Sequence, residues 1–218
     1  MGLIPLSDAS RRPTHFPVVT LSIVAINVFV FVLEIMNGDP FVLKWAAVPA
    51  DIVAGHHLIT IFTAMFLHGS WLHLISNMIF LWAFGPEIED AMNPFRYSAF
   101  YVGGGVVAML AQVAASPGST VPTLGASGAI AAVMGAVIVT FPGDQIRSLL
   151  FIFIFVKVTF IPAAVLIGFW FLTQLVNAGT VAPVQTGGVA YLAHVGGFIF
   201  GAFTARLFED QRRLAEQG

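Results

Sequence analysis

The sequence predicts an all-α polytopic membrane protein with six transmembrane helices in one domain. Apolar residues make up 58% of the 218 residues and charged residues only 9%, whereas a soluble domain carries about 25% charged residues. The mean hydropathy is +0.91. Long apolar segments recur along the chain, and six spans of roughly 20 residues each leave room for ordinary loops.

The same composition excludes several functional classes. Nine Lys and Arg face eleven Asp and Glu, for a net charge of −2, so the basic excess that nucleic-acid binding requires is missing. The chain has no cysteine, which excludes a disulfide framework, a thiolate metal site and a cysteine nucleophile.

The six spans follow from runs of apolar residues that end at prolines, glycines or charges. Residues 1–17 are polar, lack the apolar core and cleavage site of a signal peptide, and are expected to form a cytoplasmic segment. The spans are predicted at 18–36, 70–88, 95–115, 124–141, 160–176 and 189–208.

Three further segments connect or follow these spans. Residues 37–69 are predicted to form a loop with short helices in the membrane interface. Residues 145–159 are predicted to form an interfacial turn or short hairpin, because a longer span 5 would bury Lys157 in the membrane. Residues 178–188 form a connection rich in Gly, Pro and Thr, and residues 209–218 a charged, water-soluble tail.

The distribution of Lys and Arg predicts the orientation. With the N-terminus inside, eight of these residues fall on the inner side and only Lys44 falls outside, as the positive-inside rule favours. An even number of spans then places both termini in the cytoplasm. Acidic residues are expected to end span 2 at this inner side.

Polar residues inside the spans are candidates for function, because polar groups are costly in hydrocarbon. Ser127 stands between Gly125, Ala126 and Gly128 where span 4 begins. The first backbone N–H groups of a helix have no intrahelical acceptor, so a hydroxyl there lies beside free donors, as a nucleophile and oxyanion hole require. The alternative is an ordinary serine N-cap in a glycine-rich turn.

His194 lies near the outer end of span 6, at a depth similar to that of Ser127. Gly197 and Gly201 share its helix face and would let spans 4 and 6 approach closely. Gly196 lies off that face and is expected to tolerate alanine better. The alternative is tight helix packing around one hydrogen-bonded histidine.

His73 and Asn77 lie four residues apart in span 2, so they share one helix face. Both can donate to an oxyanion, or they form a polar clamp between helices. His68 and His73, with His56 or His57, also allow a zinc interpretation. That interpretation is disfavoured because the His-Glu-x-x-His pattern is absent and no suitable acid is evident in the sequence.

Together these motifs resemble the rhomboid family of intramembrane serine proteases, of the six-span prokaryotic type. The matching patterns are His68-x-x-x-x-His73-x-x-x-Asn77, Gly85-x-x-x-Glu89, Gly125-x-Ser127-Gly128 and Ala193-His194-x-x-Gly197-x-x-x-Gly201. The resemblance covers residues 18–208, and it implies a rhomboid-like helical bundle in a prokaryotic plasma membrane.

The resemblance also implies a role for each matching residue. Ser127 would be the nucleophile and His194 its general base, with no third acid. The implied oxyanion donors are His73, Asn77 and the backbone N–H groups of Ser127 and Ala126. Structural roles at the site are implied for Gly125, Gly128, Gly197, Gly201, Glu89 and His68.

The expected substrates are single-span transmembrane proteins cut near the outer leaflet, with membrane lipid as surroundings and neither cofactor nor metal. Residues 178–188 resemble the family's flexible cap over the active site. Two departures from the family are the missing Trp-Arg pair in the first loop and Ala131 in place of an aromatic residue that stacks on the histidine. The alternatives are a catalytically inactive relative that binds membrane clients and a small-solute transporter, for which the paired repeats are absent.

Overall fold

The computed structural model describes residues 2–152, 155–180 and 190–217, and most of them are helical. Ten helices are assigned in this part of the chain. They are α1 (Val18–Asn37), α2 (Asp39–Trp45), α3 (Pro49–Val53), α4 (Thr60–Thr63), α5 (Trp71–Met92), α6 (Pro94–Ala115), α7 (Ser127–Thr140), α8 (Ala163–Thr180), α9 (Tyr191–Phe208) and α10 (Gln211–Gln217). Each of the six predicted spans therefore corresponds to one of the longer helices.

The described residues also contain a three-stranded antiparallel sheet, so the all-α expectation is wrong. Its strands are β1 (Gly2–Asp8), β2 (Gln145–Ile152) and β3 (Phe155–Pro162), in the order β1-β2-β3. The hairpin expected within 145–159 is confirmed, although its second strand extends to Pro162. The sheet itself was not expected, since β1 lies in the segment predicted to be merely polar.

Lys157 lies on β3 opposite Leu150 and is exposed. It is thus not buried between helices. Its place at the inner membrane boundary stays a prediction.

Among the described residues, three helices are long and apolar enough to cross a membrane: α1, α6 and α9. A fourth candidate is the bent pair formed by Thr60–Phe66 and α5, whose axes differ by 91°. Helices α7 and α8 are also apolar, but their apolar segments, Ser127–Thr140 and Ala163–Gly179, are shorter than 18 residues. The protein is therefore a mainly helical membrane protein with three to four spans assigned by length and composition.

Helix α7 forms the centre of the bundle. Every residue from Gly128 to Val137 is buried, and the helix packs against α9, α6 and α5. Small residues make this possible, because a Cβ atom at Gly128 would overlap the Cβ atom of Ala108 on α6. A central helix with small side chains lets its neighbours approach from several sides.

The acidic residues predicted to end span 2 lie inside α5, which continues to Met92. This prediction was wrong because these carboxylates find partners in distant segments. Glu89 accepts hydrogen bonds from the backbone N–H groups of Val19 (2.8 Å) and Thr20 (2.7 Å). It thereby satisfies two free donors in the first turn of α1.

The termini of the described chain pack on the same end of the bundle, where α5 and α9 end. Asp90 accepts a hydrogen bond from the backbone N–H of Thr14 (2.7 Å), and the N–H of Asp210 donates to the carbonyl of Ala91 (2.8 Å). Arg11 pairs with Asp144 at 2.5 Å, which ties the N-terminal segment to the start of β2. We call this end the polar end.

The connection at 178–188 lies mostly outside the described residues, so its resemblance to a cap stays a prediction. Within 37–69 the short helices α2, α3 and α4 are present, as expected. Their position in the membrane interface stays a prediction.

Candidate active site

Ser127 is the first residue of α7, and its hydroxyl does not cap the helix. The N-cap position is Ala126, which makes no side-chain cap hydrogen bond. Gly125 has φ +123°, in a region that L side chains rarely adopt, and its N–H donates to the carbonyl of Ala64 (2.8 Å). The glycine thus turns the chain into α7, and the first N–H groups of the helix stay available to a ligand.

The hydroxyl of Ser127 lies 2.8 Å from Nε2 of His194. The serine begins α7 and the histidine lies in the first turn of α9, so the packing of these helices joins residues that are 67 positions apart in sequence. His194 is buried, with 8% of its surface exposed. A serine hydroxyl within hydrogen-bond distance of an imidazole nitrogen is the geometry that activates a serine nucleophile.

Glycines set the separation of α7 and α9. A Cβ atom at Gly197 would overlap the carbonyl oxygen of Gly128, and one at Gly201 would overlap that of Ala132. The expected contact face is therefore present. Gly196 is also confined, because a Cβ atom there would overlap the Cβ atom of Ala111 on α6. Its expected tolerance to alanine is not supported.

His73 lies beside the serine loop. Nε2 of His73 would be 2.8 Å from a Cβ atom at Gly125, and the Ser127 hydroxyl would be 3.7 Å from the same point. Both groups thus border one small space. Asn77 lies one turn further along α5; it is buried, and its Nδ2 has no hydrogen-bond partner among the described residues. An unpaired buried donor costs free energy, and an oxyanion would satisfy it.

His68 packs behind His73, with ring centroids 5.0 Å apart and an edge-to-face arrangement. Its backbone N–H donates to Glu34 of α1 (2.9 Å). Our sequence argument against zinc overlooked this buried carboxylate. Across the described ranges, the one cluster with metal-ligand spacing consists of Asp8, Glu87 and Asp144, and it contains no histidine.

Two residues at the site were missed by the sequence analysis, and both lie on α8. Oε1 of Gln174 is 2.8 Å from Nδ1 of His194. The ring of Trp170 lies 5.7 Å from the imidazole, inclined by 37°. Trp170 thus supplies from another helix the aromatic contact that Ala131 lacks. Gln174 could have been found by the rule that polar residues within spans are functional candidates.

These features define a membrane protein with a serine–histidine pair between two helices. A family model described as Rhomboid domain matches residues 55–210, which is more than half of the chain. The protein belongs to the rhomboid family.

Similar proteins come from eukaryotes and from a bacterium. The chain is 28% identical over 211 residues to Rhomboid protein 1, mitochondrial, of Saccharomyces cerevisiae, covering 92% of this chain and 57% of that protein. It is 30% identical over 145 residues to Presenilin-associated rhomboid-like protein, mitochondrial, of Bos taurus, covering 65% and 36%. It is 27% identical over 126 residues to Rhomboid protease GluP of Bacillus subtilis, covering 56% and 24%.

The chain thus spans between about a quarter and somewhat over half of the length of these relatives. Two of the three carry mitochondrial names, which does not fit the expected prokaryotic plasma membrane. The location that the findings support is a membrane.

Proposed function

We propose that the protein is an intramembrane serine endopeptidase that uses Ser127 as nucleophile and His194 as general base. The observation that carries the proposal is the 2.8 Å hydrogen bond between the Ser127 hydroxyl and Nε2 of His194. The pair lies inside the helical bundle of a rhomboid-family protein, and one relative is named a rhomboid protease. A catalytically inactive relative would have no need of this pair.

In the proposed reaction, Nε2 of His194 takes the proton of Ser127 as Oγ attacks the carbonyl carbon of the scissile peptide bond. The imidazolium then donates this proton to the leaving amine, and the acyl-enzyme forms. Water, deprotonated by His194, attacks the ester and releases the second product, and the serine regains its proton. The reaction needs no cofactor, because the chain supplies the nucleophile and the base.

The negative oxygen of the tetrahedral intermediate would be held by donors around the serine. His73 and the free Nδ2 of Asn77 approach from α5, and the backbone N–H groups of Ser127 and Ala126 come from the start of α7. Fixed donors at this point stabilise the charge that develops in the transition state. Gly125 and Gly128 would keep the loop narrow enough for these donors to converge.

We infer six spans, formed by α1, α5, α6, α7, α8 and α9, within a domain at 18–208 between segments 1–17 and 209–218. Helix α7 has 14 residues, or about 21 Å at 1.5 Å per residue, less than the ~30 Å hydrocarbon thickness. It is surrounded by other helices, so backbone at its ends is shielded from lipid. A short central helix would place Ser127 below the membrane surface, where water reaches it from one side.

The proposed substrates are single-span membrane proteins. A transmembrane helix hydrogen-bonds its own backbone, so a scissile carbonyl becomes accessible only where that helix unwinds. We therefore expect substrates with Gly, Pro or polar residues near the cleaved end of the span. The cut would lie near the outer leaflet, at the depth of the dyad.

The test is cleavage of a panel of such proteins co-reconstituted in liposomes. We expect cleavage by the wild-type protein and none by Ser127→Ala or His194→Ala, with both variants folded. Wild-type activity in Ser127→Ala would exclude the proposal. Binding of the panel without cleavage by the wild type would favour the inactive, client-binding alternative.

A further inference from the structure

Gln174 of α8 forms a third member of the site. It is buried, with 7% of its surface exposed, and it follows the apolar run from Phe169 to Leu172 and Thr173 in α8. Its Oε1 lies 2.8 Å from Nδ1 of His194, while Nε2 of the same ring faces Ser127 at 2.8 Å. The imidazole is thus held between an amide on one side and the serine on the other.

The orientation of the Gln174 amide is fixed by its other neighbours. Its Nε2 donates to the carbonyl oxygen of Trp170 (3.3 Å) and to the hydroxyl oxygen of Thr173 (3.1 Å). The Thr173 hydroxyl donates its own hydrogen bond to the carbonyl oxygen of Trp170 (2.6 Å), so its oxygen is left to accept from the amide. Both neighbours therefore require the NH₂ end of the amide.

This orientation fixes the tautomer of His194. The remaining end of the amide, Oε1, can only accept, so Nδ1 of His194 must carry the proton. A neutral imidazole has one protonated nitrogen, and Nε2 then presents its lone pair to the Ser127 hydroxyl. The reversed tautomer would direct an N–H at the serine and could not accept its proton.

We propose that Gln174 is a positioning residue that holds His194 in the tautomer and ring orientation required of a general base. The proposal rests on the proposed function of Ser127 and His194. It explains why the site needs no third acid, because a neutral carbonyl oxygen orients the ring without placing a charge among apolar helices. Trp170 restricts the tilt of the same ring from the side.

The test combines kinetics with a spectroscopic measurement of His194. Gln174→Met keeps the length of the side chain and removes the acceptor, so we expect kcat to fall by about 10- to 100-fold with KM unchanged, because loss of the correct tautomer impairs the chemical step. The matched control is Leu175→Met, the same new side chain one position further on, at an exposed site; it should behave as the wild type.

Nitrogen-15 NMR of ring-labelled histidine reports the tautomer without any substrate, and His194→Ala identifies the signal. We expect Nδ1–H in the wild type and a mixture of tautomers in Gln174→Met. An Nε2–H signal in the wild type, an unchanged tautomer in Gln174→Met, or wild-type kcat in that variant would overturn the proposal. If the wild type cleaves no substrate but shows an Nδ1–H tautomer that depends on Gln174, the protease assignment fails and the positioning role stands.

Discussion

At the scale of single residues, the candidate site divides its tasks among side chains from four helices. Ser127 on α7 and Nε2 of His194 on α9 lie 2.8 Å apart. Asn77 on α5 contributes a buried amide nitrogen without a partner in the described ranges, and Gln174 on α8 contacts the other ring nitrogen, Nδ1, of the imidazole. Each group can therefore be removed separately, and each removal has its own expected consequence.

Removal of one side-chain donor should slow the reaction without abolishing it. His73→Ala or Asn77→Ala is expected to lower kcat by about 10- to 10³-fold, because the remaining donors still hold the oxyanion. Ser127→Ala should be more severe, since it removes the atom that forms the covalent bond. The measurement is the initial rate of cleavage in liposomes.

A chelator distinguishes this role from zinc binding by His68 and His73. The rates should be the same with and without a chelator. Activity that disappears with the chelator and returns with zinc would contradict the oxyanion assignment.

Sequence reasoning identified some of these residues and missed others for physical reasons. Ser127 and His194 stand out because they are polar residues beside glycines in apolar spans. Gln174 is also a polar residue within a span, so the same rule marks it as a candidate. Its contact with His194, however, depends on the packing of α8 against α9, which no local pattern specifies. Glu34 was overlooked for the same reason, since its contact with His68 joins residues 34 positions apart.

At the scale of elements, the site depends on how closely α7 and α9 approach. No side chain separates the two helices at Gly197 and Gly201, where the carbonyl oxygens of Gly128 and Ala132 occupy the space that a Cβ atom would fill. Side-chain rearrangement cannot relieve such an overlap, because the obstacle is backbone. The distance between the serine and the histidine is therefore set by these glycines.

Enlarging either glycine should inactivate the protein. Gly197→Leu or Gly201→Leu is expected to move α9 away from α7, and a displacement of ~1 Å at a catalytic site can cost about 10²-fold in rate. Overpacking typically also costs ~1–3 kcal/mol of stability. The measurements are the cleavage rate and the thermal stability in detergent.

Gly168 on α8 provides the control, since a Cβ atom there meets nothing within 4 Å. Gly168→Leu should retain activity. Wild-type rates in Gly197→Leu and Gly201→Leu would show that α7 and α9 are not in close contact.

A group of ionisable side chains lies where the sheet meets the bundle, at the polar end. Carboxylate oxygens of Asp8, Glu87 and Asp144 lie within 4.8 Å of one another, and Arg11 pairs with Asp144. Burial raises the pKa of Asp144 above its ordinary value of 3.8, against the opposing effect of the hydrogen bond from Arg11. The folded protein therefore binds a proton here more tightly than the unfolded chain does.

Linkage converts this shift into a pH dependence of stability. The contribution of Asp144 is present at low pH and is lost as the pH rises above the unfolded pKa, since the unfolded chain then releases the proton more readily. Asp144→Asn should consequently lose less thermal stability than the wild type as the pH rises from the ordinary pKa of 3.8 through the raised pKa of the folded protein. Asp39→Asn, at an exposed position, is the control, and identical pH profiles for wild type and Asp144→Asn would contradict this assignment.

The sheet shows where element prediction from sequence is limited. Residues 145–159 form an apolar run without clear periodicity, and only the cost of burying Lys157 indicated a hairpin. Strand β1 contains Pro5, which suits the edge of a sheet, but its partner β2 lies about 140 residues away. Likewise, α5 continues past Glu87 because Glu89 and Asp90 are satisfied by residues near the N-terminus.

At the scale of the whole molecule, the polar end gathers charged residues from distant parts of the chain. Arg11 pairs with Asp144, Arg96 donates to the carbonyl oxygen of Glu209 (2.5 Å), and Arg206 lies 3.3 Å from the Glu209 carboxylate. Ser127 and His194 lie at the opposite ends of their helices. That both termini lie on one side of the membrane stays a prediction.

Cysteine labelling can test that topology directly, because the chain contains no cysteine of its own. His56→Cys lies in the predicted outer loop and Arg212→Cys in α10, and both positions are exposed. In sealed right-side-out vesicles, a membrane-impermeant maleimide should label His56→Cys at once and Arg212→Cys only after permeabilisation. Labelling of Arg212→Cys in sealed vesicles would contradict the proposed orientation.

The central claim is that His194 activates Ser127 within the folded bundle, and labelling with a fluorophosphonate tests it most directly. Such a probe reacts with an activated serine and needs no knowledge of the natural substrate. Intact mass measurement of the reconstituted protein should show one adduct, mapped by peptide analysis to Ser127, and no adduct in folded Ser127→Ala or His194→Ala. A folded wild-type protein that stays unlabelled, or a His194→Ala variant labelled as fast as the wild type, would contradict the claim.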